Sequence, residues 1–199
     1  MRRNEFASED PKLLEELLLT CEFGTLALFD TVPYAIPINF APLKDEIIFH
    51  GATAGRKFKI ISQNPCASFS VVHALSLLPS YFSDTPLACA ASAMFISAHI
   101  TGRVRILETA QEKQDALNAL MKKLQPEGGY APLEADDSRY EGALKRTAVF
   151  ALKISEYSLK LKLGQNQSKE RQEALIKRLK ERGSALDLLS VQYMRRFLK

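Results

Sequence analysis

Apolar positions along the chain switch between helical spacing and strict alternation, and the switches mark out the elements. Leu13, Leu14, Leu17, Leu18 and Cys21 recur at helical spacing behind Asp10-Pro11. That pair supplies an N-cap and a proline suited to a first helical position. Alternation then takes over: 24–29 reads as a strand, Asp30-Thr31-Val32-Pro33 as a turn, and 34–40 as the hairpin partner. Pro37 has no N–H to give to a ladder, which predicts an edge strand or a bulge there. Lys44-Asp45 makes the next turn and 46–50 a third strand. The small residues from Gly51 to Gly55 break the sheet pattern, and a short helix over 56–63 follows, ended by Asn64-Pro65.

Residues 66–73 read as another strand. Residues 75–91, with Pro79, Pro86 and Tyr81-Phe82-Ser83-Asp84, read as a loop lying over something. A strand-rich stretch over 93–107 follows, with Gly102 a candidate bulge. Thr109 and Glu112 form a capping box opening a helix with Ala116, Leu117, Leu120, Met121 and Leu124 on one side. Two strands are predicted over 147–154 and 158–163; the second alternates, placing Lys160 and Lys162 opposite leucines. Two helices over 168–182 and 184–199, split by Gly183, close the chain. The pattern is mainly β, an antiparallel meander with peripheral helices.

Composition changes this picture little. The 199 residues fit one domain, and 46% hydrophobic with 25% charged residues is ordinary for a globular protein. No window approaches the roughly 18 uncharged apolar residues of a membrane span. Met1-Arg2-Arg3 is followed by no apolar stretch, so no secretory signal is read and the cytoplasm is the expected compartment. The 3 cysteines have no metal-ligand or disulfide spacing, and no metal is expected. His50, His73 and His99 each sit in a strand-like run and read as packed or rim residues. Charge is uneven: of the +4 net, residues 155–199 carry eleven Lys/Arg against five Asp/Glu. Without interleaved aromatics this tail reads as solvated helix faces, and a nucleic-acid partner is not expected.

The candidate chemistry lies in Phe49-His50-Gly51-Ala52-Thr53-Ala54-Gly55-Arg56-Lys57. A strand ends, a small-residue turn can present N–H groups, and a helix begins with two cations. Such a helix start favours an anion, and arginine suits bidentate phosphate contact. A basic helix start on a solvated face would look the same, so this segment alone leaves both readings open. The ring of His50 could contact a ligand or only brace the turn. Tyr34 and Tyr81 could stack over a planar group or pack at a rim.

Three linked segments narrow the reading. Pro33-Tyr-Ala-Ile-Pro-Ile-Asn-Phe40, then Ile48-Phe-His-Gly-Ala-Thr-Ala-Gly-Arg-Lys57, then Asn64-Pro65 resemble the pyridoxamine 5′-phosphate oxidase-like superfamily. Within it they are most similar to the 5-nitroimidazole-resistance (Nim-like) branch. Phe95-Ile-Ser97 resembles a further strand motif of that branch, with Phe in place of Tyr. Leu159-Lys-Leu-Lys-Leu-Gly-Gln-Asn166 resembles a segment of flavin-binding PaiB-type regulators.

The resemblance implies a six-stranded antiparallel split β-barrel binding FMN over 1–163, with a helical extension over 164–199 packed on the same domain. It implies a homodimer with FMN at the subunit interface. Arg56 and Lys57, after Gly55, would hold the phosphate, and the backbone of Ile36, Pro37, Ile38 and Asn39 would line the flavin ring. Ser97 would face the flavin, Lys160 or Lys162 would approach the phosphate or the N1/O2 edge, and His50 would lie near the site. The implied activity is NAD(P)H-dependent reduction of nitroaromatics, quinones or similar small acceptors, the flavin carrying the redox chemistry. A PaiB-type regulator and a haem-binding split barrel, with His50, His73 or His99 on iron, are the alternatives. The C-terminal substrate-binding signature of pyridoxamine-phosphate oxidase itself is not found in the sequence.

Overall fold

The computed structural model of the chain describes residues 3–83, 85 and 87–198. Asp84 and Pro86 of the predicted loop lie outside the described residues, as do Met1, Arg2 and Lys199.

The strands are β1 (Ala7–Ser8), β2 (Phe23–Phe29), β3 (Pro33–Asn39), β4 (Ala41–Leu43), β5 (Glu46–Ala52), β6 (Cys66–Leu78), β7 (Ser92–Ile106) and β8 (Thr147–Lys162). The helices are α1 (Pro11–Thr20), α2 (Arg56–Gln63), α3 (Ala110–Leu124), α4 (Ser138–Arg146), α5 (Lys169–Arg182) and α6 (Ala185–Phe197). Strand order is β3-β2-β6-β7-β8-β5-β4, with β1 pairing β8 off that path. The strand count therefore exceeds the six expected. At two and three residues, β1 and β4 are too short to leave a periodic signature.

Two further departures have local causes. β6 continues to Leu78, four residues into the predicted loop, because Leu75 and Ser76 are buried there while Leu77 points to solvent. The two strands expected over 147–163 are one: Ser155, Glu156 and Tyr157 look like a turn but form the exposed middle of β8. α4, unread in the sequence, buries only Leu144 and starts on Asp137, which accepts from the Arg139 N–H.

The chain divides into two compact units, one of residues 11–71 and 99–157, the other of the described residues of 1–10, 72–98 and 158–199. In the first, β3 pairs β2 in register from Phe23↔Asn39 to Phe29↔Pro33 and ends the strand order. Pro37 thus lies on an edge, where its missing N–H costs no ladder bond. Phe49 of β5 faces Phe150 of β8 in register, and their rings stack at 5.1 Å. Both are fully buried, each contributing roughly 1.5–3 kcal/mol of transfer free energy. α3 lays Ala116 and Leu120 against Ala41, Ile48, Val149 and Ala151. Its capping box is formed as the sequence indicates, Thr109 and Glu112 satisfying one another's backbone N–H. Gly102 marks a close approach: a Cβ there would lie 2.0 Å from the Lys153 carbonyl oxygen.

Lys123 on α3 ties this unit together. Its Nζ donates to the carbonyls of Leu18, Cys21 and Phe40 at 2.8, 2.7 and 2.8 Å, and lies 3.5 Å from the Phe40 ring centroid. Burial pulls the ammonium down to about 8, while three acceptors, one per proton, oppose its loss. Lys123→Met is expected to lower unfolding free energy by about 2 kcal/mol, since three carbonyls lose their donor. Urea denaturation checks this.

In the second unit, Leu159, Leu161 and Leu163 are buried and Lys160 and Lys162 occupy the opposite face, the alternation read from sequence. α5 ends on Gly183 at φ 66°, a left-handed cap that favours glycine, and α6 starts on the capping box of Ser184 and Asp187.

Candidate functional site

The site predicted around residues 36–57 is assembled from β3, the end of β5 and the start of α2, all in the first unit. Phe49 anchors β5 in the core, and the strand stays paired with β8 two residues past the expected break, to Ala52; only Thr53, Ala54 and Gly55 form the short exposed bend before α2. Gly55 is the N-cap of α2 with φ 112°, a conformation side chains rarely adopt. A Cβ there would meet nothing within 4 Å, so backbone conformation and not crowding favours glycine. Having no side chain, Gly55 offers no acceptor to the first-turn N–H groups, so the positive end of the helix dipole has no side-chain cap.

The two cations next along the helix do different things. Arg56 is about half exposed. Its guanidinium carbon sits 4.6 Å from the Tyr34 ring centroid, and its Nη2 lies 3.8 Å from Asp30 Oδ2. This contact joins the Pro33–Phe40 segment to the Gly55-Arg56-Lys57 segment in space. Lys57 is half-buried and turns back towards the strand end: its Nζ donates to the His50 carbonyl at 2.9 Å and lies 5.5 and 5.3 Å from the Phe49 and Phe150 ring centroids. Burial holds its pKa below the usual lysine range. Gly51 makes room for it, since a Cβ there would come 2.6 Å from Lys57 Nζ.

His50 contributes its carbonyl to Lys57, while solvent reaches its ring. Crowding by neighbouring atoms, and then the Lys57 ammonium, push the imidazole pKa below its ordinary value, keeping it neutral at pH 7. On β3, Ile38 is buried, Ile36 and Asn39 are half-buried and Pro37 is exposed. As an edge strand, β3 leaves alternate N–H and C=O groups outside the ladder. Asn39 Nδ2 donates to the Glu22 carbonyl at 3.1 Å, fixing the strand's end.

Ser97, Lys160 and Lys162 belong to the second unit. Ser97 shares the half-buried face of β7 with Phe95. Lys160 Nζ lies 5.3 Å from the Phe95 centroid and 5.9 Å from that of Phe6, and Lys162 Nζ donates to Ser92 Oγ at 2.6 Å. Burial, then Lys160 and Arg3, lower the Lys162 pKa. Tyr81 is exposed and packs edge-on against Phe82.

Asp30 and the Tyr34 platform were not assigned to the site from sequence. Asp30 read only as a turn residue; the Pro33-Tyr34 pair was the available signal for the platform.

The residues at the start of α2 fit a phosphate-bearing group: an uncapped helix start behind a positive-φ glycine, an exposed guanidinium and a neighbouring ammonium. The edge strand offers the backbone donors and acceptors that a flavin ring edge requires.

An antiparallel split barrel with peripheral helices is the architecture of flavin-binding split-barrel proteins. The chain belongs to the pyridoxamine 5′-phosphate oxidase family, whose model matches residues 10–161. No curated protein matches the sequence. Among solved structures, the chain is similar to an FAD and haem binding protein from Mycobacterium smegmatis, at 27% identity over 84% of this chain and 78% of that one, TM-score 0.69. It is similar in fold to a flavocytochrome from Azotobacter vinelandii, at 22% identity over 87% and 77%, TM-score 0.69. It is also similar in fold to a candidate 5-nitroimidazole antibiotic resistance protein from Bacteroides thetaiotaomicron, at 20% identity over 77% and 85%, TM-score 0.62. Among the described residues, no helix is long and apolar enough to cross a membrane.

Proposed function

We propose that this protein is an FMN-binding flavoprotein that takes a hydride from NADH or NADPH and reduces small acceptors such as nitroaromatics or quinones. The observation that carries the reading is the meeting of Tyr34, Gly55, Arg56 and Lys57 at one helix start beside an edge strand. Arg56, the first-turn N–H groups and the Lys57 ammonium bind the phosphate, and the main chain of Ile36 to Asn39 orients the ring. The neutral His50 imidazole offers a hydrogen bond without a charge. When bound, FMN supplies hydride and electron transfer; the protein supplies position and electrostatics. The working form is a homodimer with FMN at its interface.

A second reading rests on the Mycobacterium smegmatis relative, which binds haem as well as FAD. His73, half-buried with its ring 5.9 Å from that of Tyr193, is the histidine that would carry it, since His50 and His99 are exposed.

One absorbance experiment separates these. Purified protein is expected to show flavin bands that bleach on addition of NADPH and return with a nitroaromatic. Mass spectrometry of the extracted cofactor distinguishes FMN from FAD. A Soret band without flavin would replace the first reading by the second. Flavin that NADPH leaves oxidised would favour a PaiB-type regulator over an enzyme.

A further inference from the structure

We infer that the β2–β3 hairpin, through Asp30 and Tyr34, sets how strongly Arg56 favours a phosphorylated flavin over an unphosphorylated one. The inference rests on the flavin reading above and goes beyond it, because neither Asp30 nor Tyr34 is needed to touch the ligand.

Asp30 opens the turn directly after β2, and Tyr34, the second residue of β3, pairs with Leu28, two residues before Asp30, so the short hairpin holds the two close together. Tyr34 supports one face of the guanidinium at 4.6 Å, leaving its N–H edge to meet an anion in the ring plane. Asp30 lies 3.8 Å from one terminal nitrogen of the same group. A carboxylate at that distance competes with an incoming phosphate for the cation and lowers the positive potential the phosphate meets. Both partners are partly exposed, so the competition is screened and modest. Lys57 is outside this competition, its ammonium being turned to the His50 carbonyl. Tyr34 is therefore a positioning residue that strengthens the phosphate grip, and Asp30 a restraint that weakens it.

The test is titration of apoprotein with FMN and with riboflavin, read by flavin fluorescence. Asp30→Asn is expected to tighten FMN about two- to fivefold, the range of an exposed ion pair, and to leave riboflavin unchanged. Tyr34→Leu is expected to weaken FMN about two- to fivefold, with Tyr34→Phe restoring it because the ring face remains. In an Arg56→Ala background the Asp30→Asn gain vanishes if the two act through Arg56. Riboflavin and FMN affinities moving together in Asp30→Asn, or a gain that survives Arg56→Ala, would overturn the inference while leaving the flavin site standing. Wild-type protein that binds neither flavin would remove the flavin reading itself, and this inference with it.

Discussion

Protein in which Arg56 and Lys57 are both replaced by Ala is expected to purify without flavin. A cation's hydrogen bond to a phosphate is worth about 1.5–3 kcal/mol. Losing two such contacts weakens binding on the order of a hundred- to ten-thousandfold. The single variants are expected to differ. Arg56→Ala removes an exposed group and leaves the turn intact. Lys57→Ala also removes the donor to the His50 carbonyl and the cation over Phe49 and Phe150, so its loss combines binding with a loosened turn. Circular dichroism separates folding from binding, and retained yellow colour in the double variant would exclude these residues from the site.

A pH dependence follows from the phosphate and Lys57. A phosphate monoester gains its second charge near about pH 6, so affinity rises through that region. Burial holds the folded Lys57 pKa below its ordinary value. The ammonium is therefore lost, and affinity falls, at a lower pH than an exposed lysine would dictate. FMN affinity is expected to be greatest between these two limits, and Lys57→Met should abolish the alkaline fall alone.

Much of the fold around the candidate site was legible in sequence because local chemistry dictates it. Asn64-Pro65 stops α2 where expected, Thr109 and Glu112 start α3, and Pro37 marks the edge strand. What was not legible depends on juxtaposition. Nothing local in Asp30 indicates that a turn carboxylate faces Arg56, because that requires the hairpin tip to pass the start of α2. Likewise the turning of Lys57 to the His50 carbonyl depends on how α2 folds back against β5, and two adjacent cations look alike in a string of letters. β6 and β8 were shortened for a different reason. The end of β6 adjoins Pro79-Ser80-Tyr81, which reads as a loop, and Ser155-Glu156-Tyr157 of β8 imitates a turn; strands continuing there are favoured by pairing, which periodicity does not report.

The largest stability effect is expected at a polar cluster that the periodic pattern also misses. Asp187 and Ser190, on α6, and Ser76, on β6, are all buried. Ser76 Oγ donates to Asp187 Oδ1 at 2.6 Å, Ser190 Oγ donates to Ser76 Oγ at 2.8 Å, and Arg182 Nε donates to Asp187 Oδ2 at 2.8 Å. The arginine also donates to the Leu77 carbonyl at 2.9 Å, so one carboxylate holds α5, α6 and the end of β6 in a fixed relation. Asp187 is sealed from solvent but lies at shallow depth. The Arg182 hydrogen bonds accordingly outweigh burial, and the carboxyl is held well below the usual range. Asp187→Ala leaves a guanidinium and buried hydroxyls without their acceptor, at a cost of about 3 kcal/mol, the low end for a broken buried pair because Arg182 is one-third exposed. For a chain of this size that is roughly a 6–12 °C fall in Tm. Because the folded pKa is depressed, this stability is fully present above the ordinary aspartate pKa near about 4 and is lost as pH falls towards the folded value. Wild type should therefore lose stability on acidification below about pH 4 more steeply than Asp187→Ala. Replacing Asp187 and Arg182 together by apolar residues should cost less than Asp187→Ala alone, since no charge is then left unpaired; an additive double variant would show that the pair does not act as a unit.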